Sequence, residues 1–150
     1  VEGFHSDSAF SFGVGEITEE QRKLIDATRE SLKAGIGQAK AGNRVGDISA
    51  AVQAYAEPLG YGIVRQYVGH GIGRDLHEDP QVPNFGIAGR GPLLREGMTL
   101  AIEPMLNLGT WKTAVMEDGW TVVTADGSLS AHFEDTIMIT SNGAEVLTSP

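Results

Sequence analysis

No regular helix can run through Tyr67–Pro80, where Gly69, Gly71, Gly73 and Pro80 surround two histidines, His70 and His77. Glycine at this density disfavours helix and lets neighbouring backbone approach closely. The apolar run Ile63, Val64, Tyr67 and Val68 leads into the stretch. His70 is therefore expected at the end of a strand, with His77 on the turn that follows and both aimed into a cleft. The rest of the chain is expected to supply carboxylates to the same cleft: Asp7 before it, Glu103 and Glu134 after it.

A chain of 150 residues with 41% hydrophobic content suits one domain with a real core. The net charge of −9, with only 11 scattered Lys and Arg, argues against nucleic acid or an anionic membrane as the main partner. With no cysteine there is no disulfide, no thiolate metal site and no Cys nucleophile, which fits a reducing compartment; a cytoplasmic location is the expectation. No apolar stretch approaches the roughly 18 residues of a membrane span, and no signal-peptide pattern opens the chain. The first residue is Val1, and the opening Val1-Glu2-Gly3-Phe4-His5-Ser6-Asp7 reads like the middle of a hairpin. An upstream portion is therefore expected to be missing.

Val1 to Val14 is predicted to be the end of a turn followed by a strand with Phe4, Ala9, Phe10, Phe12 and Val14 as its apolar members. Thr18-Glu19-Glu20-Gln21 is a capping-box pattern, so a helix starts there and should run to Gly42-Asn43, weakened late by Gly35 and Gly37. Its apolar face is Ile25, Leu32, Ile36 and Ala39. A second helix is predicted from about Gly46 or Asp47 to Leu59, burying Ile48, Val52, Tyr55 and Leu59, with Pro58 in its last turn. Gln81 to Gly97, rich in Gly and Pro, is expected to be a long surface loop. Met98–Met105 and Leu129–Thr140 read as strands, Thr113–Met116 and Trp120–Thr124 as a hairpin, and Val146-Leu147 as a short edge strand. In the Leu129–Thr140 strand, Phe133, Ile137 and Ile139 should face one way and Glu134, Thr136 and Met138 the other. Two helices followed by antiparallel strands give an α+β fold.

The chemistry lies in polar residues set inside apolar strands. Glu103 sits between Leu100-Ala101-Ile102 and Pro104-Met105, and Glu134 between Phe133 and Ile137. A buried lone carboxylate costs several kcal/mol unless it is paired, protonated or bound to a cation. An isolated Glu on a strand more commonly pairs with an Arg or a backbone donor, or faces solvent. Two such Glu, together with Asp7 and His70, shift the balance towards a site. Oxygen and imidazole ligands without thiolate suit Mn, Fe, Co, Ni or Zn, and carboxylates can bridge two ions that share one hydroxide nucleophile. Spacing and composition alone go as far as a candidate His/carboxylate metal site. His5 and His132 carry no such motif and are expected to be ordinary surface or half-buried histidines.

Five motifs follow one another in order: Phe4-His5-Ser6-Asp7-Ser8, Gly69-His70-Gly71-Ile72-Gly73 with His77-Glu78-Asp79-Pro80, Ile102-Glu103-Pro104-Met105, Asp118-Gly119-Trp120-Thr121, and Ser130-Ala131-His132-Phe133-Glu134-Asp135-Thr136-Ile137. Their order and spacing resemble those of type I methionine aminopeptidases over nearly the whole chain. The resemblance implies the pita-bread fold, a curved antiparallel sheet with helices on its outer face. It implies removal of the initiator methionine from nascent proteins, using one or two divalent ions (Co, Mn, Fe, Zn or Ni). By the same resemblance, Asp7 and Glu134 bridge the ions, His70 is the imidazole ligand, and Glu103 is both a ligand on the His70 side and the general base. His77 corresponds to the histidine that hydrogen-bonds the scissile carbonyl. Trp120 corresponds to a wall of the methionine pocket, and Leu76 to a pocket position usually held by an aromatic.

The family's first aspartate and its other catalytic histidine fall upstream of Val1. Residues 1–150 are thus expected to be the C-terminal portion of a single catalytic domain, part of an enzyme of about 250 residues, and weakly active or inactive alone. The expected partner is a nascent polypeptide N-terminus, near the ribosome by family analogy, with the full-length enzyme a monomer. Two other readings stand beside this one. A proline-directed aminopeptidase or prolidase of the same fold usually continues Glu-Pro with Gly, where this chain has Met105. A non-catalytic peptide-binding relative would have lost the ligand residues.

Overall fold

The computed structural model describes residues 2–148; Val1, where the expected opening segment begins, lies outside them. In chain order come β1 (Ser8–Ala9), α1 (Glu19–Ile36), α2 (Val45–Ala56), a short 3-10 turn (Glu57–Leu59), β2 (Gly62–Ile63), β3 (Gly69–Gly71) and β4 (Glu78–Val82). They are followed by β5 (Thr99–Ile102), β6 (Met105–Asn107), β7 (Thr113–Val115), β8 (Val122–Thr124), β9 (Ser130–His132), β10 (Glu134–Thr140) and β11 (Gly143–Val146). Every pairing among the described strands is antiparallel. One sheet runs β1-β10-β5-β3-β4, with β11 also on β10; a second runs β2-β6-β9; β7 and β8 form a separate hairpin.

The start of α1 is set locally. Thr18 N donates to Gln21 Oε1 at 2.8 Å and Gln21 N donates to Thr18 Oγ1 at 3.2 Å, the reciprocal capping box the sequence predicts. The helix ends at Ile36, short of the expected Gly42-Asn43, and Gly37 serves as its C-cap. Gly35 has a packing role at that end: a Cβ there would lie 2.8 Å from Val52 Cγ2, so the missing side chain is what lets α1 and α2 approach. On α2, Ile48 and Val52 are fully buried as expected. Tyr55 and Leu59 are not; both are exposed, Tyr55 in the last turn of α2 and Leu59 in the 3-10 turn after it, where nothing among the described residues buries them.

Strand alternation separates the core from the site. On β5 and β10, Leu100, Ile102, Ile137 and Ile139 point to the helices and, with Leu32, Ile48, Val82, Leu94 and Phe133, make the main core. The other face carries Ala101, paired with His70 of β3 on one side and Thr136 of β10 on the other. His70, Thr136 and Glu134 therefore share the face away from the helices.

Four expectations are corrected. In the opening segment only Ser8–Ala9 is paired, and Phe10, Phe12 and Val14 are exposed beyond it. The Met98–Met105 stretch is two strands in two sheets, divided at Glu103-Pro104. Leu129–Thr140 is likewise divided at Phe133, into β9 and β10. The loop before β5 starts at Pro83, since β4 runs to Val82, and it is anchored by buried Asn84 and Leu94. The predicted β7–β8 hairpin is present, and the short strand after β10 spans Gly143–Val146.

Candidate metal centre

His70 sits in the middle of the three-residue β3, wedged between β5 and β4. A Cβ at Gly69 would lie 2.3 Å from the Ala101 carbonyl oxygen and one at Gly71 2.2 Å from that of Asp79. Glycines flank His70 because backbone passes directly over them. The buried His70 ring has Nδ1 2.8 Å from the Gly71 carbonyl oxygen. A carbonyl only accepts, so Nδ1 carries the proton and Nε2 is left as a free lone-pair donor.

Three carboxylates come to that nitrogen from different elements. Glu103 lies in the break between β5 and β6, with Oε1 3.6 Å from His70 Nε2. Asn84 Nδ2 donates to the Glu103 carbonyl oxygen at 3.1 Å, so the loop after β4 fixes the backbone at the break. Glu134, at the head of β10, is 4% exposed, and its Oε1 has no hydrogen-bond partner among the described residues. Asp7 precedes β1 and is clasped by Thr136, whose Oγ1 accepts from Asp7 N (2.9 Å) and donates to Asp7 O (2.8 Å). Ligand atoms of Asp7, His70 and Glu134 all lie within 4.8 Å of one another, as do those of Glu103, His132 and Glu134.

Among the described residues no Lys or Arg pairs with these acids. Burial, with Glu134 and Asp7 adding repulsion, pushes Glu103 from 4.5 up to about 8. Burial together with Asp7 and Asp135 pushes Glu134 from 4.5 up to about 7. Burial pulls His132 below the ordinary imidazole value, against the opposing pull of Asp7. Carboxylates crowded until they hold protons near neutrality are short of positive charge. The donor set, carboxylate oxygens plus one oriented imidazole nitrogen, fits a divalent transition-metal ion, and the buried Glu134 Oε1, without a hydrogen-bond partner among the described residues, is short of the same positive charge.

The other named residues are placed differently. His77, on the bend before β4, stacks edge-on to His70 with ring centroids 4.4 Å apart. Leu76, beside it, is exposed. Trp120 stands 87% exposed at the tip of the β7–β8 hairpin, where Asp118 accepts from Trp120 N and Thr121 N. Neither lines the cavity of about 620 Å³ that opens beside Glu103 between Val64, Tyr67, Met105, Leu129 and His132. Two contributors escaped the sequence reading. Thr136 left a signal, since it shares the Glu134 side of its strand. His132 left none, because the break at Phe133 sets its direction.

Residues 1–141 match the metallopeptidase family M24. The chain belongs to that family. This M24 chain is 58% identical over 148 residues to a methionine aminopeptidase of Clostridium perfringens, covering 99% of itself and 59% of that protein. It is 50% identical over 148 residues to methionine aminopeptidase 1 of Bacillus subtilis, covering 99% of itself and 60% of that protein. The crystal structure of a Thermotoga maritima methionine aminopeptidase superposes with a TM-score of 0.97 at 53% identity, over 99% of this chain and 60% of that one. A Pyrococcus horikoshii prolidase superposes with a TM-score of 0.76 at 27% identity, over 99% of this chain and 37% of that one. The M24 chain thus has the pita-bread fold, a curled antiparallel sheet with helices on one face. It spans about 60% of the length of the methionine aminopeptidases it matches. No helix among its described residues is long and apolar enough to cross a membrane.

Proposed function

We propose that the chain carries the catalytic centre of a metal-dependent aminopeptidase that removes the initiator methionine from nascent polypeptides. The observation that carries this reading is the convergence of Asp7, His70 and Glu134 in one cluster, with Glu103 beside both His70 and Glu134, and no Lys or Arg paired to them among the described residues. The identity of 58% to a protein named methionine aminopeptidase, against 27% to a prolidase, supports the substrate class.

Asp7, His70, Glu103 and Glu134 would hold one or two divalent ions of the Co, Mn, Fe, Zn or Ni type, which supply Lewis acidity towards water and the scissile carbonyl. Glu134 belongs to both ligand clusters and Asp7 to one, so Glu134 would be shared between the two groups of ligands. Glu103 lines the cavity, where its carboxylate would take a proton from the attacking water and return it to the departing amine. His77 stands against His70, and by the family resemblance it would donate to the carbonyl oxygen as charge develops there. Residues 1–150 form part of a single catalytic domain; Leu76 and Trp120 are exposed and outside the cavity, and their pocket roles rest on the family resemblance alone. The enzyme works as a cytoplasmic monomer on chains leaving the ribosome.

The test is hydrolysis of Met-Ala-initiated and X-Pro peptides side by side, with added Mn(II) or Co(II). It is run on this chain and on the chain joined to the preceding part of a relative, each with its Glu103→Gln variant. Release of methionine that disappears in the variant is expected. Preferential cleavage of the X-Pro peptide would favour the proline-directed reading, and binding without hydrolysis a peptide-binding one.

A further inference from the structure

Glu103 stands between two imidazoles. Its Oε1 lies 3.6 Å from His70 Nε2, and its Oε2 lies 3.7 Å from His132 Nε2 on the opposite side. His132 is the last residue of β9, in register with Met105 of β6, so the strand pairing sets it beside the Glu103-Pro104 break. Its backbone is pinned through Ser11, whose hydroxyl accepts from His132 N and donates to His132 O, both at 2.9 Å. The ring lines the cavity next to Glu103, yet its Nε2 is shut off from solvent and has no hydrogen-bond partner among the described residues. A buried ring nitrogen left unpaired is unfavourable by roughly 1–3 kcal/mol. Glu103 Oε2 lies within a small ring rotation of it, and a carboxylate there accepts from an N–H.

We propose that His132 is a positioning residue for Glu103: its Nε2–H donates to Oε2 and holds Oε1 turned towards His70, Asp7 and Glu134. This rests on the metallopeptidase reading above. Without the donor, the Glu103 carboxylate is free to rotate about its Cγ–Cδ bond, and the ligand set is no longer preorganised. The arrangement gives the two oxygens different duties. Oε1 belongs to the cation side, and Oε2 is the oxygen held by His132.

The test is Mn(II) titration by calorimetry at one fixed pH on the wild-type chain, His132→Gln and His132→Ala, with thermal melts to establish that each is folded. Gln keeps an N–H near the position of Nε2, and Ala removes it. His132→Leu, which keeps much of the volume without a donor, replaces the alanine variant if that fails to fold. The expected result is an affinity about 10- to 100-fold weaker for Ala, within about threefold of wild type for Gln, and unchanged stoichiometry. Wild-type affinity in the Ala variant would overturn the proposal. So would a Gln variant as weak as Ala with reduced stoichiometry, which would make Nε2 itself a cation ligand. No Mn(II) binding by the wild-type chain is a separate result, removing the metallopeptidase reading and this inference with it.

Discussion

Binding of Mn(II) to the metal-free chain is expected to expel protons, in a number that falls with pH. Glu103 holds its proton up to about pH 8 and Glu134 up to about pH 7. A cation replaces those protons as the group that neutralises the carboxylates. The two carboxyls hold most of their protons at pH 6 and have lost most of them above about pH 8. Calorimetry in two buffers of different ionisation enthalpy reads the number released, and Glu134→Gln should remove that residue's share. The same groups fix the sign of the pH dependence of stability. Both folded-state values are raised above the ordinary 4.5. Above about pH 4.5 the unfolded chain has therefore lost protons that the folded chain keeps. The metal-free chain should lose stability as pH rises from about 4.5 to about 8, by about 1.4 kcal/mol per pH unit for each proton retained. Saturating Mn(II) should flatten that slope. Proton release near zero and constant from pH 6 to 8.5 would refute the reasoning, since it would mean that the carboxylates are already ionised without a cation.

Other perturbations reach the site through its supports. Thr136→Val removes the hydroxyl that clasps both backbone groups of Asp7; Mn(II) affinity by calorimetry should weaken about tenfold or more. Gly71→Ala places a Cβ against the Asp79 carbonyl oxygen, and chemical denaturation should show a loss of about 1–3 kcal/mol. Thr18→Ala removes the oxygen that accepts from Gln21 N and should lower stability by about 1 kcal/mol without changing Mn(II) binding.

How much was legible depends on the range of the interaction that decides each feature. The capping box at Thr18 is local, and it stands where the sequence puts it. Glu103 and Glu134 announce themselves as charges inside apolar runs, and on β10 the strand alternation that buries Ile137 on one face turns Glu134 to the other. Helical periodicity could not tell that Tyr55 and Leu59 remain exposed. An apolar stripe shows which residues share a side, and the burial of that side depends on what packs there. The division of one apolar run into β5 and β6, and of another into β9 and β10, was hidden for a related reason. Sheet membership is decided by partners distant in sequence. That division also hid His132, whose approach to Glu103 depends on the break at Phe133. Trp120 reads in sequence as a wall of a pocket, and in the fold it stands in solvent at a hairpin tip.

The most direct test of the central claim is anomalous diffraction from crystals of the chain grown with Mn(II), measured on both sides of the manganese absorption edge. The account predicts a manganese peak enclosed by Asp7, His70, Glu103 and Glu134, and its loss in His70→Ala crystals grown the same way. Peaks confined to surface carboxylates, with none among these four residues, would contradict it.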